Sequence, residues 1–398
     1  MDEKNQQAGL AIGAGNYPVV TVPFYRHGLD AGYAQAVGDV LASPFLTTGG
    51  VSKNVEEQLR RFFDVPHALL VNSWTNGAVA TLLALGIGQG DEVIVPAMTF
   101  VATANVAELL GAKPVFVDVD ETTLMLTPER VARALTPRTR AVIPVHLYGQ
   151  MCDIPALRAA IAGRPEVAII EDAAHSFESR YKGDPPGAHS DAAIFSFYAT
   201  KNVTCGEGGA IITRRADLFE AILQTRLHGM SAGAVDRFAG ERYRHWDMAC
   251  LGTKANLPDL LAALLPRQIA MVRERLALRE ERARRYEEAF FGNVIRLPKM
   301  MPGTVSARHL FPIHLPPRYR DRALAVLNEY GIGTTVNYRA VPMTTYYRKK
   351  YGYVAADFPV SYEWGEGTIT LPLYPSLTVE EQDYVIATVR DVVVPMMT

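Results

Sequence analysis

The sequence predicts an α/β protein with a mostly parallel sheet flanked by helices, followed by a smaller α+β C-terminal domain. Three observations carry that reading. From about residue 54 onward, short apolar runs alternate repeatedly with segments of helical period, and strands separated by helices pair in parallel because a parallel crossover has room for a helix. The runs "EVIVPA", "KPVFVDV", "RAVIPVHL" and "EVAIIED" are rich in aliphatic residues, as in a sheet covered on both faces. Around residues 258 to 292 the character changes to long amphipathic helix, and a strand–helix–strand unit follows.

Taken in order, "NVEEQLRRFFDV" has helical apolar spacing, with Asn54 placed to cap it. "HALLVNS" reads as a strand, and "NGAVATLLALGIGQGDE" as a helix ended by glycines. The strand "EVIVPA" leads to a helix from about 101 to 111, and "KPVFVDV" to the helix "TPERVARALT". "RAVIPVHL" precedes the helix "IPALRAAIAG", and "EVAIIED" precedes the strand-like "AAIFSFYAT" and "AIIT". The stretch "PDLLAALLPRQIAMVRERLALREERARRYEEAFF" predicts a long amphipathic helix pair, kinked or broken at Pro266. Its Arg/Glu face reads as solvated ion pairs four residues apart. "HLFPIHL", "RDRALAVLNEYGI" and "TTVNYR" predict strand, helix and strand, before the terminal helix "TVEEQDYVIATVRDVV". The division predicted is residues 1–257, a large α/β domain with an N-terminal arm, and residues 258–398, connecting helices and a small α+β domain.

Of the 398 residues 48% are apolar and 21% charged, with a formal net charge of −2. No global field therefore favours nucleic acid or an anionic membrane, and an anionic ligand must be held locally. Cys152, Cys205 and Cys250 lie far apart without a CxxC pair, which argues against a zinc site or a disulfide framework and fits a reducing cytoplasm. The start "MDEKNQQAGLAIGAGNYP" lacks the basic and apolar regions of a signal peptide. No run reaches the ~18 apolar residues of a membrane helix. A cytoplasmic protein is expected.

Open α/β sheets bind ligands beyond the carboxyl ends of their strands, so the residues after each strand are the candidates. "NSWTNGA" follows "HALLV" and enters a helix, where backbone N–H groups with Ser73, Thr75 and Asn76 could hold a phosphate. Such residues also cap helices for purely structural reasons. Phe100 follows "EVIVP" and could stack on a flat ligand or pack in the core. Asp172 ends "VAIIE", where a buried charge needs a partner, and His175 lies close by. Ser196 ends the next strand, and Lys201 stands in the loop "SFYATKNVTCGEGG". One ligand needs a phosphate cup, an aromatic face, a carboxylate and an amine together: pyridoxal 5′-phosphate. Its pyridine nitrogen is kept protonated by a buried carboxylate, and its aldehyde takes a lysine amine.

"EDAAHS" followed by "SFYATKNVTCGEGG", with "GIGQGDEVIVPAMTFVATAN", "PVFVDVD" and "IPVHLYGQ", resembles the sugar-nucleotide aminotransferases of the DegT–DnrJ–StrS group. The likeness runs from about residue 20 to 385. It implies the fold type I architecture of pyridoxal-phosphate enzymes. It further implies Lys201 as the Schiff-base lysine, Asp172 as the partner of the pyridine nitrogen, and Phe100 as the stacking residue. Ser196, Thr75 and Asn76 become phosphate ligands, and Asn256, in "GTKANLPD", a phosphate ligand of the neighbouring subunit in a homodimer. His175 stands where many members carry Gln against the cofactor's phenolic oxygen. With "NVTC" and "GTKAN" it looks most like the branch making 4-amino-4-deoxy-L-arabinose nucleotides.

Two departures bear on the sugar: Asn337 stands where many relatives have His, and Trp74 where smaller residues are usual. "RLHGM", "HWDM" and "NYRAVP" are expected to wall the substrate, with Arg226, His228, Asn337 and Tyr338 as contacts and guanidinium forks suited to a diphosphate. Surface arginines paired with acids would read the same way. The function implied is amination of a nucleotide-linked 4-keto sugar, with an amino acid, glutamate, as donor. The rivals are amination of another ketone, such as a 3-keto sugar nucleotide or a cyclitol, and a pyridoxal-phosphate-binding regulator. No nucleic-acid or membrane partner is implied.

Overall fold

The computed structural model describes residues 21–230 and 245–397. The first twenty residues of the expected N-terminal arm lie outside the described residues. Helices α1 (Ala31–Leu41) and α2 (Gly50–Phe63) come first, then β1 (His67–Val71), α3 (Trp74–Ala84), β2 (Glu92–Pro96), α4 (Ala102–Leu109) and β3 (Lys113–Val117). They are followed by α5 (Pro128–Ala134), β4 (Thr139–Val142), α6 (Ile154–Ala160), β5 (Ala168–Asp172), β6 (Arg180–Tyr181), β7 (Ala192–Ser196), β8 (Gly209–Thr213) and α7 (Ala216–Thr225). Next come α8 (Asp259–Ala262), α9 (Pro266–Ala270), α10 (Val272–Phe290), β9 (Thr304–Val305), β10 (Phe311–His314) and α11 (Pro317–Glu329). The last are α12 (Thr345–Tyr351), α13 (Pro359–Gly367), β11 (Thr368–Leu371) and α14 (Val379–Thr388).

Seven strands form the central sheet in the order β1-β8-β7-β5-β4-β2-β3. Only β8 runs against its neighbours, antiparallel to both β1 and β7. Residues 197–208, between β7 and β8, form a loop without a helix, and the chain turns back on itself. That loop carries Lys201. Helices cover both faces, so β2, β5 and β8 are buried at every position. A separate apolar cluster gathers around β10 and β11 with Tyr286 of α10, Leu327 of α11 and Val385 of α14. No helix of the described residues is long and apolar enough to cross a membrane.

Three local expectations are corrected. Helix α2 begins at Gly50, before Asn54; its start is capped by the distant Asp259, whose carboxylate accepts from the N–H groups of Gly49, Val51 and Ser52 at 2.9 to 3.1 Å. Ahead of Pro266 the chain makes only the short α8, and the long helix is α10. "TTVNYR" is not a strand. Apart from one bridge from Thr335 to Thr370 it is loop, and β10 pairs instead with β11.

Candidate active site

The carboxyl ends of β1, β2, β5 and β7 open into one cavity of about 500 Å³, lined by Thr75, Phe100, Asp172, His175, Ser196, Lys201, Asn337 and Tyr338 among others. At one side stands the start of α3. Ser73 caps it, its Oγ accepting from the Asn76 N–H at 3.0 Å. The N–H groups of Trp74 and Thr75, in the first turn, have no intrahelical acceptor. An added Cβ on Gly209 would lie 2.5 Å from the Phe195 carbonyl oxygen and 3.0 Å from the Trp74 nitrogen. The glycine therefore lets β8 pass directly beneath this cup, and Gly206, at φ +85°, makes the turn before it. The bulk of Trp74 is absorbed by the core under the sheet.

Asp172 is buried at the end of β5. Its Oδ2 accepts from Thr103 Oγ1 at 2.8 Å and its Oδ1 from the Ala174 N–H at 3.2 Å. Burial raises its carboxyl above the usual range, against the pull of those donors and of Lys201. Burial likewise pushes the Lys201 ammonium down to about 8, although Asp172 works to raise it. Each charge thus lacks sufficient compensation in the cavity, and a cationic ring nitrogen beside Asp172 would supply it. The Lys201 backbone is held by its N–H to the Tyr198 carbonyl at 2.9 Å.

Phe100 is 56% exposed next to the buried Thr99, and its ring centroid lies 5.8 Å from that of Tyr338. An uncovered aromatic face at the cavity's mouth fits a stacking role. His175 is buried, and its Nδ1 accepts the Tyr148 N–H at 3.2 Å, while its Nε2 lies 3.2 Å from Tyr338 Oη. Because a backbone N–H can only donate, the His175 proton sits on Nε2. Burial, then Lys201, keeps its pKa well below the usual value, so the ring stays neutral.

Four residues singled out from sequence stand outside the cavity of the single protomer. Asn76 turns its side chain to Asn72 Oδ1 at 2.9 Å. Arg226 is buried and committed to Glu56 at 3.0 Å and the Leu70 carbonyl at 2.6 Å, so the substrate-facing arginine is corrected to a strut between α7, α2 and β1. His228 is exposed in a turn at φ 59°. Asn256 donates to Thr48 Oγ1 and accepts from Lys254 Nζ, both at 2.5 Å, and does not cap a helix. Thr103, Tyr148, Tyr198, Glu207 and Phe24 were not legible as site residues. The cavity is lined by all of these except Tyr148, which acts through His175.

These groups match a pyridoxal-phosphate site: an anion cup, an open aromatic face, an undercompensated carboxylate and an amine of lowered basicity. A model of the DegT/DnrJ/EryC1/StrS aminotransferase family matches residues 29–390. The chain belongs to this family. It is 38% identical over 373 residues to the spore coat polysaccharide biosynthesis protein SpsC of Bacillus subtilis, covering 90% of this chain and 94% of that protein. It superposes on Spr1654 of Streptococcus pneumoniae, described as a sugar aminotransferase and solved in its PMP form, with a TM-score of 0.88, 30% identity, and 95% and 100% of the two chains covered. It superposes on S. venezuelae DesV in complex with a ketimine intermediate with a TM-score of 0.84, 32% identity, and coverage of 91% and 94%. Like its family, the chain is a pyridoxal-phosphate-dependent sugar aminotransferase with the fold type I architecture.

Proposed function

We propose that this aminotransferase converts a nucleotide-linked 4-keto sugar to the 4-amino sugar, with glutamate as donor, in the cytoplasm. The observation that carries the cofactor chemistry is the meeting of Lys201 and Asp172 in one cavity with Phe100 and the start of α3. When bound, pyridoxal phosphate would supply an electron sink and would carry the amino group between the two half-reactions. Lys201 would hold it through Nζ, and its free amine would move the proton of the donor's α-carbon. An amine with a pKa of about 8 can do both, since it loses and regains its proton near neutral pH. Asp172 keeps the ring nitrogen protonated, Phe100 covers one face, and Ser196 and Thr75 with the α3 N–H groups take the phosphate. His175 donates from Nε2 to the phenolic oxygen. Asn337 and Tyr338 border the sugar.

The 4-keto assignment is supported by His175 with the "NVTC" and "GTKAN" loops, which resemble the 4-amino-4-deoxy-L-arabinose branch. We further infer a division into residues 1–257 and 258–398, and an active homodimer in which Asn256 completes the partner's phosphate pocket. Exposed Phe45, Leu46, Met248 and Leu251 flank the segments holding Thr48 and Asn256 and support that contact. Light scattering at assay concentration is expected to give a dimer; an active monomer would remove it. The substrate is tested with glutamate and a panel of keto-sugar nucleotides, following amino-sugar formation by mass. Turnover of a 3-keto nucleotide or a cyclitol ketone, with no 4-keto sugar accepted, would overturn the assignment.

A further inference from the structure

Behind the cavity lies a buried polar array that the reading above does not use. Asn202 follows Lys201 directly and is itself buried. Its Nδ2 donates to both carboxylate oxygens of Glu178 at 3.1 Å and to the Ala307 carbonyl at 2.8 Å. The Ala307 carbonyl can only accept, so the amide cannot be reversed, and its Oδ1 must face His309 Nδ1, 3.0 Å away. An amide oxygen only accepts. The His309 proton is therefore on Nδ1.

The His175 ring and the His309 backbone are joined through one residue, Tyr148. The Tyr148 N–H donates to His175 Nδ1 at 3.2 Å, and the Tyr148 carbonyl accepts the His309 backbone N–H at 3.1 Å. The rings of His175 and His309 lie 4.4 Å apart between centroids. Their protons are thus in opposite places: Nδ1 in His309, Nε2 in His175. We propose that Asn202 is a positioning residue, which fixes the ring of His309 and, packed against it, His175 with Nε2–H toward the cavity, while tethering the Lys201 loop to the segment of Ala307 and His309. The Ala307 carbonyl is what keeps the amide from turning over. The inference rests on the reading that His175 donates to the phenolic oxygen of the cofactor.

The test compares Asn202→Leu, which removes all the hydrogen bonds at similar volume, with Asn202→Asp, which retains the acceptor for His309. Ring-nitrogen NMR of the histidines is measured first with the full chain free of pyridoxal phosphate. The wild type is expected to show His309 protonated on Nδ1 and His175 on Nε2. Asn202→Leu is expected to lose the single His309 form, and Asn202→Asp to keep it. With cofactor bound, the pH midpoint of the lysine-linked absorbance should rise in Asn202→Leu by about one pH unit, because a donor on the phenolic oxygen draws charge from the conjugated nitrogen. Turnover should fall about tenfold with KM changed less than about twofold. Should Asn202→Leu fail to fold, His309→Phe is expected to raise the same midpoint. Unchanged His175 signals and an unchanged midpoint in the folded variant would overturn the proposal. Failure of the substrate reading leaves the ring-nitrogen result intact, since that measurement needs neither cofactor nor sugar.

Discussion

Glu171 and Asp172 are consecutive residues at the end of the same buried strand, and strand alternation sends them to opposite sides. Glu171 is fully engaged: its Oε2 lies 2.5 Å from His146 Nε2, and its Oε1 accepts the Gly187 N–H at 2.8 Å. His146 is oriented in turn, its Nδ1 accepting from the Cys152 N–H at 3.1 Å. Asp172 has one hydroxyl, one longer backbone contact and a raised pKa caused by burial. The first carboxylate has the partners that burial demands; the second is left short of positive charge, on the side that opens to Lys201. A buried charge with a complete set of partners is scaffolding. One with a deficit facing a cavity marks where a ligand completes the set.

The strongest way to break this comparison is to remove the amine on the Asp172 side. Lys201→Ala is expected to reduce transamination by about 10³-fold or more in steady-state assays. Borohydride reduction of the wild-type holoenzyme should place the pyridoxyl group on Lys201; a label on Lys53, Lys182 or Lys254 would show that another amine holds the cofactor. The two carboxylates should then diverge under matched substitutions. Asp172→Asn is expected to lower turnover about tenfold or more while leaving the melting temperature nearly unchanged, since a charged interaction of roughly 1.5–3 kcal/mol is lost only with cofactor present. Glu171→Gln should do the reverse, losing roughly 1–3 kcal/mol of stability with activity per folded molecule retained. Equal loss of turnover in both would erase the distinction.

A pH series sharpens the same contrast. The neutral Lys201 amine is the nucleophile, and burial places its pKa at about 8. Capture of added pyridoxal phosphate by the cofactor-free protein, followed by absorbance, should therefore quicken as pH rises toward 8 and level off above it. A midpoint near the ordinary lysine value would show that the cavity does not depress the amine. The smallest effect is expected at the mouth. Phe100→Ala should speed cofactor dissociation about three- to tenfold, the magnitude of a lost aromatic contact, without shifting that midpoint.

The alternation of helix and strand, the runs that became β1 to β5, β7 and β8, and the strand-end positions of Phe100, Asp172, Ser196 and Lys201 were all readable from residue order. They rest on periodicity and turn chemistry, which act over a few residues and leave a local trace. Which member of the Glu171–Asp172 pair faces the cavity depends on how β5 sits in the sheet. No local pattern reports it. The cap on α2 comes from Asp259, and the guanidinium of Arg226 goes to Glu56 and Leu70 instead of a diphosphate in the same protomer. "TTVNYR" has strand-forming residues, yet β11 takes the place beside β10 and leaves Asn337 and Tyr338 free to border the cavity. Thr103, Tyr148 and His309 gained their parts from atoms tens to hundreds of residues away. Hydrogen bonds are satisfied by whatever packing brings within about 3 Å, and packing is a property of the whole chain.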